Sequence, residues 1–319
     1  MRLVKAGFER ITEKDPIKKI EQIARVCYKS EDKICEGSAE KMVRSLVRSK
    51  HYSMLEHGSI IMEASIEGYT DLKRLVDKIK EEYGVDVMLR FTDVCYSGRF
   101  LISGNMRMWL ELIDFVNEND ELILDVGVYN ILKREEYKPI FDNYTDMQVR
   151  DAGAFMVVQV EDLTHNEKLV HEDLSIKFIV DRGVSHEIVR HRKASFAQES
   201  TRYCNYGKSG EVVFILPCFL GSDRDTMRGV WEHNCSESEI AYHTMIQLGA
   251  KPQEARDVLS TSVKTEVVMT ANLNEWIHFF DLRALGTTGA PHPQMLEVAV
   301  PAMQDVISDH EFLEAYLEV

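Results

Sequence analysis

The sequence predicts an α+β fold: a mixed or antiparallel sheet flanked by helices, with two long helical elements. Three observations carry this. Several segments repeat apolar residues at the spacing of one helix face. Others alternate apolar and polar residues, as a half-buried strand does. No G-x-G-x-x-G follows a strand signal, which removes a dinucleotide site of the doubly wound kind. The 319 residues suffice for one or two domains. There are no internal repeats and no low-complexity segments.

In chain order, Asp15-Pro16 opens a helix, with Asp15 as N-cap and Ile17, Ile20, Ala24 and Cys27 as its buried face. A second helix runs from Ser38 to Arg48 with Met42, Leu46 and Val47 inside. The polar stretch 51–57 reads as a turn, and Ile60, Met62, Ala64 and Ile66 alternate as a strand. From Gly68 to about Leu174 the pattern changes and carries no recognisable chemistry. Helices are expected at Thr70 to Glu82, near Asn105 to Asn117 and at Glu121 to Leu132; Glu135 to Arg150 reads as loop, and Phe155 to Val158 as strand. Ser175 to Val180 reads as a strand, 181–183 as a turn, and Ser185 as the cap of a short helix. Pro252 starts a helix through Leu259, Thr265 to Thr270 reads as a strand, and Asn272 opens a helix bearing Trp276, Phe279, Phe280 and Leu282. The last long helix begins at 291–293 and is expected to kink at Pro301.

The formal charge of −15 disfavours nucleic acid and anionic membrane surfaces as partners, although gathered cations would still accept a small anion. No stretch approaches the roughly 20 apolar residues of a membrane span. No apolar run follows the first five residues, so no signal peptide is expected. The six cysteines (Cys27, Cys35, Cys95, Cys204, Cys218, Cys235) contain no C-x-x-C pair and read as reduced thiols of a cytoplasmic protein.

Against that acidic background, 190–203 stands out. Arg190, Arg192, Lys193 and Arg202 lie among polar donors. Guanidinium groups are planar donor forks that stay charged, so several together suit a phosphate-bearing ligand. A solvated basic surface or a helix C-terminus explains the same residues. Arg190-His191-Arg192 followed by Ser200 reads R-H-R-x7-S, and 199–203 reads E-S-T-R-Y. With His51, Ser53, Glu56 and His57 upstream, and Arg256, Asn272, Asn274, His278, Arg283 and His292-x-Gln294 downstream, the chain resembles the flavin-dependent thymidylate synthases. The resemblance covers roughly 10–66 and 175–300, which makes the whole chain, 1–319, one such domain interrupted by an insertion at about 68–174.

The resemblance implies conversion of dUMP to dTMP, with methylenetetrahydrofolate supplying the carbon and NADPH-reduced FAD the hydride. It implies FAD contacts from His51, Ser53, Glu56, Arg190, His191, Arg192, Gln198, Asn272, Asn274 and His278. It implies a dUMP strip of Glu187, Arg190, Gln198, Glu199, Ser200, Thr201, Arg202, Arg256 and Arg283. It also implies a homotetramer that shares FAD between subunits, with His51 and Tyr52 flanking the flavin ring near the folate. Arg283 is the expected catalytic residue: a fixed guanidinium beside the pyrimidine edge stabilises charge at N3 or O4, the charge that makes C5 nucleophilic. A plain ion pair to Asp281 or Glu275 is its structural alternative. Ser200 has no base near it in sequence and reads as a phosphate donor rather than a nucleophile. Cys204 lies near cations able to lower its pKa, yet hydride chemistry needs no thiolate.

The pattern has departures. Glu187 stands where many members have glutamine near the pyrimidine, Gln198 where some have glutamate, and Cys27 where some have a flavin-contacting serine. Two rivals stay open. A metal-dependent nucleotide phosphohydrolase would draw on His165, His171, Glu172, Asp173 and His310, but no ligand spacing supports it and no metal is expected. A non-catalytic nucleotide-binding or scaffold relative would keep the motif without turnover.

Overall fold

The computed structural model describes residues 1–93, 99–145 and 147–317; Cys95 lies outside the described residues. The chain forms two compact units. One comprises Met1–Ile11, Ala24–Glu31 and Leu174–Val319; the other comprises Thr12–Ile23 and Asp32–Asp173.

The first unit is built on a four-stranded sheet in the spatial order Ser195–Gln198, Lys264–Asn272, Asp173–Asp181, Gly7–Ile11. Ser195–Gln198 and Lys264–Asn272 pair antiparallel, as do Gly7–Ile11 and Asp173–Asp181. A separate parallel pair joins Arg2–Val4 to Val213–Ile215, so the unit is mixed rather than purely antiparallel. Residues 265–271 of the strand Lys264–Asn272 are all buried, as expected of a central strand covered on both faces. Helix Leu273–Phe280 buries Trp276, Phe279 and Phe280, and the Trp276 indole N–H donates to the Leu174 carbonyl at 3.2 Å. Burying that N–H with a partner lets the largest aromatic sit in the core without a desolvation cost. Helix Pro293–Asp309 continues through Pro301 and buries Met295, Val298, Ala299, Ala302, Met303 and Val306. The longest helix, Asp225–Gln247, has no counterpart among the sequence expectations. It buries only Cys235, Ser238 and Tyr242 and has no strong apolar stripe by which to be recognised.

The second unit contains a wholly antiparallel sheet in the order Arg90–Asp93, Phe100–Asn105, Ser59–Ala64, Phe155–Val157. Ser59–Ala64 precedes Gly68, so the 68–174 region shares its sheet with an upstream strand. Helix Ile66–Tyr83 buries Leu72, Leu75, Val76 and Ile79 as expected. Ile66 itself is exposed and starts this helix, because the Ser65 hydroxyl accepts from Gly68 N and ends the strand. Helix Ser38–Arg48 has the expected bounds, but Val43 rather than Met42 joins Leu46 in the interior. The stretch read as a polar turn is the 3-10 helix Tyr52–His57, with Met54, Leu55 and His57 buried. Glu135 to Arg150 is not loop throughout: helix Lys138–Phe141 buries Ile140 and Phe141. The helix expected from Glu121 starts at Val126, where Asp125 caps it. Among the described residues no helix is long and apolar enough to cross a membrane.

Candidate functional site

In the first unit, the strand Asp173–Asp181 delivers Asp181 to a helix start. Its Oδ1 accepts from Val184 N at 2.8 Å, and its Oδ2 accepts from the Gln294 side chain at 2.7 Å. The helix is therefore Arg182–Ile188, and the turn expected at 181–183 is its first turn. Ser185 is not the cap; it is buried inside the helix, donating to the Arg182 carbonyl and accepting from Gln198. The short helix ends just before Arg190-His191-Arg192, leaving those side chains on a turn. Opposite them stands helix Leu273–Phe280, capped by Asn272, whose Oδ1 accepts from Glu275 N at 3.0 Å. This helix passes into a single π-turn, Asp281–Leu285, closed by Gly286 at φ +71°. A Cβ at Gly286 would meet Pro291 Cδ at 2.8 Å, so only glycine fits both the dihedral and the space. The π-turn, a feature that often marks functional sites, carries Arg283.

Between these walls lies a cavity of about 530 Å³. Arg190, His191, Arg192, Lys193 and Ala194 line one side; Met269, Glu275, His278, Leu282 and Arg283 line the other. Neither Arg190 nor Arg192 forms an ion pair among the described residues, and both are exposed. Lys193 pairs with Glu275 at 3.4 Å across the cavity. Lys193, Glu275, Met269 and Leu282 were not assigned a ligand contact from sequence. Lys193 alone had a signal, as one of the four gathered cations. His278 and Asn274 are both exposed, and His278 faces the cavity.

Arg283 is held at three points. Its Nε donates to His191 Nε2 at 3.2 Å, its Nη1 to Glu187 Oε2 at 3.0 Å, and its Nη2 to the Glu187 carbonyl at 3.3 Å. The ion pair expected with Asp281 or Glu275 is instead made with Glu187, 96 residues away in sequence. A guanidinium only donates, so His191 Nε2 presents a lone pair and the neutral ring carries its proton on Nδ1. Burial, with the adjoining Arg283 charge and His278, pushes the His191 pKa down to about 4. At neutral pH the site thus offers cations from arginine and lysine, and a neutral imidazole.

The 198–202 strip faces several ways. Gln198 turns inward, its amide donating to Ser185 and Thr265. Glu199 is only 2% exposed, and its carboxylate is engaged by Tyr206 OH at 2.8 Å, Lys29 at 3.2 Å and Lys264 at 3.3 Å. Direct ligand contact through that carboxylate is therefore excluded unless the cluster opens, a constraint the sequence did not reveal. Ser200 is anchored by its backbone N–H on the Cys27 carbonyl at 3.0 Å, and its Oγ accepts from Arg202 N at 3.3 Å. Arg256 comes from its distant segment to donate to Thr201 Oγ1 at 3.3 Å, joining the strip as expected. Arg202 is exposed, its guanidinium 5.6 Å from the Tyr203 ring centre. Cys204 does not have a lowered pKa: burial, then the Glu199 charge, push it up to about 11. Lys29, within range, is too weak an influence to reverse that. The five described cysteines are all free.

His51, Ser53 and Glu56 belong to the second unit, on and beside the 3-10 helix Tyr52–His57. There Glu56 accepts from Arg107 at 2.7 Å. In the same unit His171 is buried between the Ser103 and Thr92 hydroxyls, at 2.7 and 2.9 Å, and Asp173 takes both Nη groups of Arg90 at 2.7 Å. Among the described residues no group of three or more His, Cys, Asp or Glu side chains is placed to hold a metal ion.

The family profile described as thymidylate synthase complementing protein matches residues 10–69 and 111–306. A flavin-dependent thymidylate synthase of Pyrococcus furiosus is 32% identical over 125 residues, 38% of this chain and 51% of the relative. One of Geobacter sulfurreducens is 31% identical over 138 residues, 43% of this chain and 58% of the relative. The matched part thus spans about half the length of these curated relatives. A solved UMP/dUMP methylase of Streptomyces cacaoi, bound with 5-Br UMP, aligns over 100% of this chain and 98% of its own at 15% identity, with a TM-score of 0.44.

Proposed function

The chain belongs to the thymidylate synthase complementing protein family, and on that premise we propose that it methylates dUMP to dTMP as a flavin-dependent thymidylate synthase. The observation that carries this reading is the cavity where Arg190-His191-Arg192 faces a guanidinium locked on Glu187 and His191. The donor set fits FAD. Arg190 and Arg192 are forks for a pyrophosphate, and His278, His191, Met269 and Leu282 give a partly apolar surface for a flat ring. When bound, FAD reduced by NADPH supplies the hydride, and methylenetetrahydrofolate supplies the carbon.

In this reading Arg190, His191, Arg192, Asn274 and His278 hold the flavin, and Asn272 acts through its helix cap. His51, Ser53 and Glu56 add flavin contacts from the 3-10 helix region. Ser200, Thr201, Arg202 and Arg256 hold the dUMP phosphate, supported by the Arg256–Thr201 bond. Arg283 stabilises negative charge on the pyrimidine as C5 attacks. Its guanidinium is already fixed, so little reorganisation is needed when that charge develops. Neutral His191 adds no competing positive charge and orients Arg283. Gln198 and Glu199 act by bracing the strip from beneath. We place the enzyme in the cytoplasm, as a homotetramer whose assembly is coupled to flavin binding; an FAD-loaded monomer by light scattering would contradict the coupling.

Colour and reductant consumption test the reading. The purified protein should be yellow, or become so with FAD, and its NADPH oxidation should respond to dUMP. A colourless protein that cannot be loaded with FAD sinks it.

A further inference from the structure

Among the described residues that line the cavity are the cations Arg190, Arg192, Lys193 and Arg283, and one acid, Glu275. Arg283 is balanced by Glu187. Lys193 instead reaches across the cavity to Glu275 at 3.4 Å. The two ends of this bridge are mounted differently. Glu275 stands in the first turn of helix Leu273–Phe280, where Asn272 holds its backbone N–H and the helix field favours an acid. Its side chain is 24% exposed. Lys193 lies on the turn after the short helix, on a flexible four-carbon stem, with its side chain 77% exposed. The carboxylate is therefore the fixed end and the ammonium the movable one. A bridge drawn across a cavity also occupies room that a ligand needs, and an exposed ion pair is weak enough to yield.

We propose that Lys193 is a phosphate-binding residue held in place by Glu275 until a flavin diphosphate enters, draws the ammonium off the carboxylate, and takes Lys193 as a third cation beside Arg190 and Arg192. The proposal rests on the FAD reading of the cavity. The exchange follows from charge. Arg190 and Arg192 form no ion pair among the described residues and meet an incoming anion directly. In the empty cavity a third free cation beside them would be repelled, and the bond to Glu275 relieves that repulsion. A diphosphate carries more negative charge than one carboxylate and accepts several charge-assisted hydrogen bonds, so it competes for the ammonium. Once Lys193 has moved, Glu275 remains beside an anionic ligand and opposes it. The pair thus makes the cavity favour flavins that carry phosphate. A flavin without phosphate has to part the bridge and offers the ammonium no new partner.

The test is binding to the flavin-free protein, followed by flavin fluorescence, for FAD and for riboflavin, which has the same ring and no phosphate. Lys193→Met keeps the stem and removes the charge. It should weaken FAD about tenfold, the low end for a charged hydrogen bond at an exposed site, and leave riboflavin no weaker. Glu275→Gln should tighten FAD about threefold, the worth of the exposed ion pair that no longer competes for Lys193. In the double variant most of that gain should vanish, because there is no ammonium to release. Circular dichroism establishes that each variant is folded. Lys193→Met that binds FAD as wild type does overturns the proposal and leaves the FAD reading intact. So does a gain from Glu275→Gln that persists in full in the double variant, since direct repulsion would then account for it. Wild type that takes up neither flavin overturns the FAD reading as well.

Discussion

Glu199→Gln probes how the nucleotide strip is supported. Glu199 sits in a cluster with Lys29, Lys264, Glu266 and Lys177, and Lys177 pairs outward to Glu9 at 2.7 Å. Three lysines meet three carboxylates, so the substitution strands one positive charge beside groups that are mostly buried. Each of the two lysine contacts, at 3.2 and 3.3 Å, corresponds to a gross attraction of about 5 kcal/mol at an effective dielectric of 20. Most of that is offset by the cost of dehydrating Glu199 and by its repulsion from Glu266, and Lys29 is one-third exposed. Glutamine also keeps the Tyr206 hydrogen bond. The expected loss is about 3 kcal/mol, the low end for breaking one partner of a buried pair. Urea unfolding of the single variant, and of Glu199→Gln combined with Lys264→Met, measures it. The double variant removes the stranded charge and should be more stable than Glu199→Gln alone. A single-variant loss under about 0.5 kcal/mol, or simple additivity in the double variant, would show that Glu199 does not hold this charge cluster together.

Four further outcomes are expected. Cys204→Ala should keep measurable activity, since the thiol is buried with a pKa near 11; complete loss with FAD still bound would show that it reacts. His191 is held neutral with a pKa of about 4, so the unfolded chain binds its proton first as pH falls from the ordinary value of 6.5. Its contribution to stability is therefore present above pH 6.5 and lost toward pH 4, by at most about 3 kcal/mol; His191→Asn should flatten the stability–pH curve in that window. Glu266 shows the acidic counterpart: burial opposes its charge, but hydrogen bonds from Lys264 and Lys29 outweigh this and hold it at about 2. Its contribution is full above pH 4.5 and fades toward pH 2, so acid unfolding of Glu266→Gln should begin from a lower plateau with a shallower slope. Gly286→Ala should cost about 1–3 kcal/mol through its left-handed dihedral and the contact with Pro291, and should lower kcat by moving the π-turn under Arg283; wild-type kcat and melting temperature would contradict this.

What could be read in advance was local. Asp15 accepts from Ile17 N and Lys18 N, and Asn272 from Glu275 N, as their sequence contexts imply. The bounds of Ser38–Arg48 and the buried stripe of Ile66–Tyr83 follow from 3.6-residue periodicity. Ser185 is not the cap because Asp181, the first residue of the segment that reads as a turn, takes the free amide of Val184 and starts the helix three residues earlier. Asp225–Gln247 went unseen because a mostly solvated helix leaves no apolar stripe. The cationic motif was legible as residue types, but its geometry was not. The Arg283–Glu187 bond spans 96 residues, the π-turn has no residue signature, and the burial of Glu199 depends on lysines from two other segments. Motifs report which groups are available; tertiary packing decides which of them face the cavity.

The methylation of dUMP and the route of its hydride are read together in a turnover assay with an isotopic label. FAD-loaded protein, dUMP, methylenetetrahydrofolate and NADPH are combined with deuterium introduced on the reductant side, in NADPH or in the water, and the nucleotide product is weighed. A flavin-dependent thymidylate synthase yields dTMP whose methyl group carries deuterium from that side, and no dTMP from an Arg283→Ala variant that still binds FAD. Absence of dTMP from flavin-loaded wild type, or a methyl group whose added hydrogen comes from the folate, would contradict that reaction.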